Sequence, residues 1–139
     1  MAFGNDGTLY VTRRSQGDVM MLRDRDGDGR ADEHLIVASD LKLVHGITIR
    51  ENRLYLATPI TGYVADLQPN GTLENLQPMV ENSPDGGQHP NRTIDFGPDG
   101  KLYITVVAPV TFATIQMRKA LPFCRRNPTV PSGRFMRWA

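Results

Sequence analysis

Nine consecutive residues, Asp24-Arg25-Asp26-Gly27-Asp28-Gly29-Arg30-Ala31-Asp32, set four carboxylates at loop positions 1, 3, 5 and 9. Carboxylates at that spacing can converge on one hard cation, and the main-chain carbonyl of Arg30 at position 7 would complete the oxygen shell. Gly29 falls where such a loop must turn sharply. A helix–loop–helix calcium site would need a bidentate Glu at position 12, where Leu35 stands instead. The flanks read as strands, so the expectation is a calcium loop on a β-hairpin. Its ligands would be Asp24, Asp26, Asp28, Asp32 and the carbonyl of Arg30. The competing reading is a solvated acidic turn rimmed by arginines. Mutual repulsion among four carboxylates favours the cation, which would staple a sheet edge.

The three histidines are not equivalent. His34 follows Glu33 at a strand start and reads as surface. His45 lies in Leu43-Val44-His45-Gly46-Ile47, and His89 in Gln88-His89-Pro90-Asn91-Arg92-Thr93, each just before a strand-like segment. A histidine there could take a proton from a substrate hydroxyl, and Arg92 could hold an anionic cofactor. A lone loop histidine is ordinarily polar surface. Two at one phase of a repeat, with an arginine nearby, point to a functional cluster.

That phase comes from a recurring hairpin. Residues 2–12, 47–57 and 95–105 each read as an apolar pair, a turn, then Leu-Tyr-aliphatic. The Leu-Tyr pairs begin at Leu9, Leu54 and Leu102, 45 and then 48 residues apart. A four-stranded propeller blade occupies roughly 40–50 residues. The coarse reading is almost entirely β. Strands are expected at Leu9–Thr12, Asp18–Leu22, His34–Ala38, His45–Ile49, Leu54–Thr58, Gly62–Leu67, Leu73–Val80 (broken by Pro78), Thr93–Phe96 and Leu102–Val106. Short strands bounded by turn dipeptides fit a sandwich or a propeller, and the period chooses the propeller. In such a ring, equal phase puts His45 and His89 at equal height near the axis.

Composition sets bounds. The chain has 139 residues, while propellers need about four to eight blades. The expected fold is therefore all-β, a partial β-propeller with an irregular C-terminal tail. Unpaired sheet edges would invite self-association. A net charge of +1 hides an asymmetry, because residues 107–139 carry six basic residues and no acidic one. That tail lacks the dense Lys/Arg runs and stacking aromatics of a nucleic-acid arm, so no nucleic-acid partner is expected. Cys124 is the single cysteine and forms no internal disulfide. No apolar run approaches membrane-span length. No signal peptide precedes the first repeat, which reads as a chain begun inside its own first unit.

The run Gly86-Gly87-Gln88-His89-Pro90-Asn91-Arg92-Thr93-Ile94-Asp95-Phe96-Gly97-Pro98-Asp99-Gly100-Lys101-Leu102-Tyr103 resembles the histidine-containing segment of soluble quinoprotein glucose/sorbosone dehydrogenases. Asp6-Gly7-Thr8-Leu9-Tyr10-Val11-Thr12-Arg13-Arg14 resembles that family's first-blade opening, and the sorbosone dehydrogenase branch is the nearest in pattern. The resemblance covers residues 1–106. It implies about two and a half blades of a six-bladed ring, which would bind pyrroloquinoline quinone and calcium on its axis. It also implies oxidation of a sugar or aldehyde by hydride transfer to the quinone. His89 matches the family's general base, and Arg92 the arginine shortly after it, one residue closer here. His45-Gly46 falls where glucose-oxidising members set a Gln-Gly pair against the quinone. Later cofactor-gripping residues belong to blades this chain does not contain, so the fragment is expected to be inactive. Full-length relatives are expected in the periplasm or secreted.

After Val106 the family pattern stops. Val107-Ala108-Pro109-Val110-Thr111 stands where the family reads Gly-Ser-Thr-Cys-Asn, a change that one shifted base can produce. The domain reading is therefore incomplete propeller blades over 1–106 and a basic, non-family, poorly ordered tail over 107–139. Two other functions stay open. One is a calcium-stabilised propeller fragment that binds or scaffolds without catalysis. The other is a sugar-lactonase-like propeller, which needs an axial metal held by residues from several blades.

Overall fold

A computed structural model describes residues 1–84, 90–106 and 135–138. Every element in them is a strand. One five-residue turn, used three times, starts much of the local structure. In residues 4–8 the Gly4 N–H donates to Thr8 O at 2.8 Å, and the Gly7 N–H to Gly4 O at 3.1 Å. Residues 68–72 repeat the pair (Gln68 to Thr72, 2.9 Å; Gly71 to Gln68, 2.9 Å), as do residues 97–101 (Gly97 to Lys101, 2.8 Å; Gly100 to Gly97, 3.0 Å). In each, the central Asx oxygen accepts an N–H two residues on, from Thr8, Thr72 or Lys101. Each glycine sits at positive φ, 84°, 87° and 76° for Gly7, Gly71 and Gly100, where an L side chain would be strained.

Each turn joins two neighbouring strands within one of three antiparallel sheets. The first sheet runs β1 (Ala2–Phe3), β2 (Leu9–Arg13), β3 (Asp18–Arg23), β4 (Glu33–Ala38). The second runs β5 (Gly46–Arg50), β6 (Arg53–Ala57), β7 (Gly62–Leu67), β8 (Leu73–Val80). The third has the order β11-β10-β9, from β9 (Ile94–Phe96), β10 (Leu102–Thr105) and β11 (Phe135–Trp138). Pro78 does not break β8, because that strand lies at a sheet edge where a missing N–H goes unneeded. The register instead shifts opposite Gly62–Tyr63 and Val64–Asp66 of β7, with one extra residue in β8 at each place. In the tail, β11 pairs with β10 from Leu102↔Trp138 to Thr105↔Phe135. The other residues of 107–139, Cys124 among them, lie outside the described residues.

The sheets stack face to face. Alternate side chains of β6 point to opposite faces, as strand geometry dictates. Leu54 and Leu56 join Tyr10, Val19 and Met21 of the first sheet in one buried core. Ala57 and the half-buried Tyr55 meet Ile94, Leu102 and Ile104 of the third sheet in a second. β5 packs against β1 and β2 on one side and β9 on the other. The sheets' leading strands thus lie side by side, as blades around an axis do. The fold is a partial β-propeller. No helix among the described residues is long and apolar enough to cross a membrane.

Candidate functional site

The residue at the meeting point of all three sheets is His45, which ends the connection from β4 to β5. Leu41 and Val44 are buried on either side of Leu43, whose φ of 58° turns the chain. The His45 N–H then donates to Ala57 O of the second sheet at 3.0 Å. Its carbonyl accepts Thr12 Oγ1 of the first sheet at 3.0 Å. Its Nδ1 lies 3.1 Å from the carbonyl of Arg92, two residues before β9. A carbonyl only accepts, so Nδ1 carries a proton, and the tautomer this selects has its lone pair on Nε2. The side chain is exposed, leaving Nε2 open to a ligand. Gly46 makes the approach feasible. A Cβ there would stand 2.7 Å from Arg92 O and 3.0 Å from Ile94 Cγ2.

Arg92 is 1% exposed, the largest fully buried side chain among the described residues. Its Nε donates to Pro59 O at 3.2 Å, its Nη2 to Pro84 O at 2.6 Å and its Nη1 to Asn91 O at 3.4 Å. Expected on an anionic cofactor, this guanidinium is turned into the fold. It ties the β6–β7 turn to the segment after β8, while its own main-chain oxygen fixes the His45 ring. His89 lies outside the described residues, within the 85–89 segment bounded by Pro84 and Pro90.

The acidic loop connects β3 to β4, and its carboxylates shape it from inside. Asp24 accepts the N–H groups of Gly27 (2.7 Å) and Gly29 (2.9 Å), Asp26 that of Asp28 (3.1 Å), and Asp28 that of Arg30 (2.8 Å). Those donors, Gly29 first, hold the Asp24 carboxyl below its ordinary range. Carboxylate oxygens of Asp24, Asp26 and Asp28 all lie within 4.8 Å of one another and are exposed. Asp32 sits at the loop's base, where Oδ2 accepts the Arg25 N–H at 2.7 Å. Beside it, Arg25 pairs with Glu33 at 2.7 Å.

The loop and His45 occupy opposite ends of the first sheet. Thr12, which holds His45, pairs with Val19 near the start of β3, while the loop leaves from Arg23 at its end. A strand of that length spans about 17 Å. A cation in the loop would therefore not touch a ligand on the His45 imidazole. Thr12 was not among the expected site residues. Its signal was the Tyr-x-Thr pattern of Tyr10-Val11-Thr12 and Tyr103-Ile104-Thr105.

A family model described as Domain of unknown function (DUF7133) matches residues 1–121. The fold is similar to a solved structure, the holo form of the pyranose dehydrogenase PQQ domain from Coprinopsis cinerea. The TM-score is 0.63 at 18% identity, covering 75% of this chain and 26% of that one. This chain thus spans about a quarter of that structure's length. No curated protein matches it.

Proposed function

This chain belongs to the family described as Domain of unknown function (DUF7133), and from that footing we propose a relative of the pyrroloquinoline-quinone-dependent dehydrogenases that oxidise sugars or aldehydes. The observation that carries this reading is His45, bonded to the first two sheets and to the segment leading into the third, with its side chain exposed at their junction. Support comes also from the fold shared with a PQQ domain and from the resemblance around Gln88-His89-Pro90-Asn91-Arg92. The described residues fit the cofactor in one respect, an oriented imidazole that can accept a hydrogen bond. Arg92 does not fit as a clamp on its carboxylates and serves beneath the site. His45 would hold the quinone, and His89 would take the proton from the substrate hydroxyl. The quinone, when bound, supplies a hydride acceptor. The substrate class follows from resemblance alone.

Titrating the full chain with pyrroloquinoline quinone in calcium, and following the quinone absorbance, tests this reading. Saturable binding at micromolar cofactor is expected, weakened at least tenfold by His45→Ala. Absence of saturable binding would leave only the shared fold.

A second reading, compatible with the first, is that calcium sits on Asp24, Asp26 and Asp28, with the Arg30 carbonyl and Asp32 completing the shell, and staples the β3–β4 edge. The convergence of three carboxylates supports it. Calorimetric titration with Ca²⁺ would give one site per chain, lost in Asp26→Asn.

A further inference from the structure

The strand register aligns the three sheets position by position. Phe3 pairs with Leu9, Ile49 with Leu54 and Phe96 with Leu102, so Thr12, Ala57 and Thr105 stand at one register of the second strand. By the same alignment His45 corresponds to Arg92, since Ile47 pairs with Leu56 as Ile94 does with Ile104.

The first and third sheets carry a hydroxyl at that register, and in both it fastens the main chain that leads into an inner strand. Thr12 Oγ1 donates to His45 O, across the first junction, at 3.0 Å. Thr105 Oγ1 accepts the Thr93 N–H, within its own sheet, at 2.9 Å. Ala57 has no hydroxyl. The acceptor that answers to His45 O at the second junction is Arg92 O, and His45 Nδ1 lies 3.1 Å from it. An imidazole there does what the threonine hydroxyl does at the first junction.

Small residues surround that contact. A Cβ on Gly46 would stand 2.7 Å from Arg92 O and 3.1 Å from the Ala57 Cβ, so the carbonyl and the Ala57 methyl border one narrow space. Ala57 is 1% exposed, whereas the His45 side chain is exposed. A donor fixed to a buried strand has less freedom to lose than an exposed ring turning on two torsions. A hydroxyl at position 57 would therefore win Arg92 O from the ring.

We propose that Ala57 is a positioning residue for His45. Lacking the hydroxyl of Thr12 and Thr105, it leaves Arg92 O to the imidazole, which fixes the orientation and the tautomer of the ring. What the ring then holds rests on the quinone reading; how it is held does not.

Nitrogen NMR of the full chain labelled at histidine, without cofactor and at about pH 8.5 where imidazoles are neutral, tests it. The His45→Gln spectrum identifies the His45 signals. In the native chain Nδ1 should carry the proton. In Ala57→Ser the introduced hydroxyl takes Arg92 O, and the ring should shift largely to the form protonated on Nε2. Ala57→Cys adds a group of similar size whose S–H is a weak donor, and should keep the native pattern. Titration with pyrroloquinoline quinone in calcium should follow the ring, roughly tenfold or more weaker in Ala57→Ser and within about threefold of native in Ala57→Cys. Circular dichroism checks that both variants are folded. A native ring protonated on Nε2 overturns the proposal. So does an Ala57→Ser chain that keeps the native pattern, its carbonyl accepting both donors. An Ala57→Cys chain that loses the pattern overturns it too, because bulk and not the hydroxyl would then decide. If the ring responds as expected while even the native chain binds no quinone, the positioning stands and the dehydrogenase reading falls.

Discussion

The acidic loop of residues 24–32 and the junction around His45 and Arg92 are built on opposite plans. In the loop, Asp24, Asp26 and Asp28 bond to N–H groups two to five residues away, and all are exposed. At the junction the partners are 33 to 47 residues apart, Thr12 with His45, His45 with Arg92, and Arg92 with Pro59. The loop is held by its own sequence, and the junction only by the stacking of the three sheets. Damage at the first should stay local, whereas damage at the second should reach the whole fold.

Arg92→Leu is the sharpest way to break that contrast. It removes the donors to Pro59 O and Pro84 O in a buried setting, where each abandoned acceptor costs about 1–3 kcal/mol. A loss of about 3 kcal/mol or more is expected, roughly 10 °C in the thermal midpoint. Asp24→Asn in calcium-free buffer should stay within about 0.5 kcal/mol, as exposed substitutions usually do. Equal losses in the two variants would erase the distinction.

Alkaline pH separates the regions by titration. Tyr10 is 1% exposed and donates to Gly71 O at 3.0 Å, and burial pushes its hydroxyl up to about 12. A folded value above the unfolded one means that the fold favours the neutral phenol. This contribution is whole below pH 10 and is lost as pH rises from 10 towards 12, by about 2–3 kcal/mol. Denaturant midpoints at pH 9 and 11.5 should show that fall, and Tyr10→Phe should remove most of it. A Tyr10→Phe variant with the same alkaline slope would place the sensitivity elsewhere. Calcium bound as proposed would act at the other region. At ten times its dissociation constant it should add about 1.4 kcal/mol in the native chain and nothing in Asp24→Asn.

How legible each region was in the sequence follows from the same difference. The convergence of Asp24, Asp26 and Asp28 could be read from adjacent residues, because Asx side chains bond their own backbone within a few positions. The propeller could be read too, since Leu9-Tyr10, Leu54-Tyr55 and Leu102-Tyr103 recur at blade spacing and one hairpin can be compared with the next. What the spacing did not foretell is that Asp32 also fastens the loop's base, where its Oδ2 accepts the Arg25 N–H at 2.7 Å. The inward turn of Arg92 was not legible. An arginine after a loop histidine looks like an anion clamp until the carbonyls of Pro59 and Pro84 converge on it from other connections. Thr12 was missed for the same reason, since its partner His45 O is 33 residues away.

The smallest effect concerns how each region makes its sharp turns. The loop places glycine at both of its positive-φ positions, Gly27 at 77° and Gly29 at 85°, at no steric cost. The junction places Leu43 at 58°, two residues before His45, where a left-handed L residue costs about 1–2 kcal/mol. Burial of Leu41 and Val44 on either side holds it there. At an ordinary half-buried site Val would replace Leu better than Gly or Asn. At Leu43 the order should invert, because β-branching worsens the left-handed clash while Gly and Asn relieve it. Leu43→Val is expected to be the least stable of the three by about 1 kcal/mol. If Val proves the best tolerated, the turn carries no strain, and His45 owes its orientation to Gly46 and the Arg92 carbonyl alone.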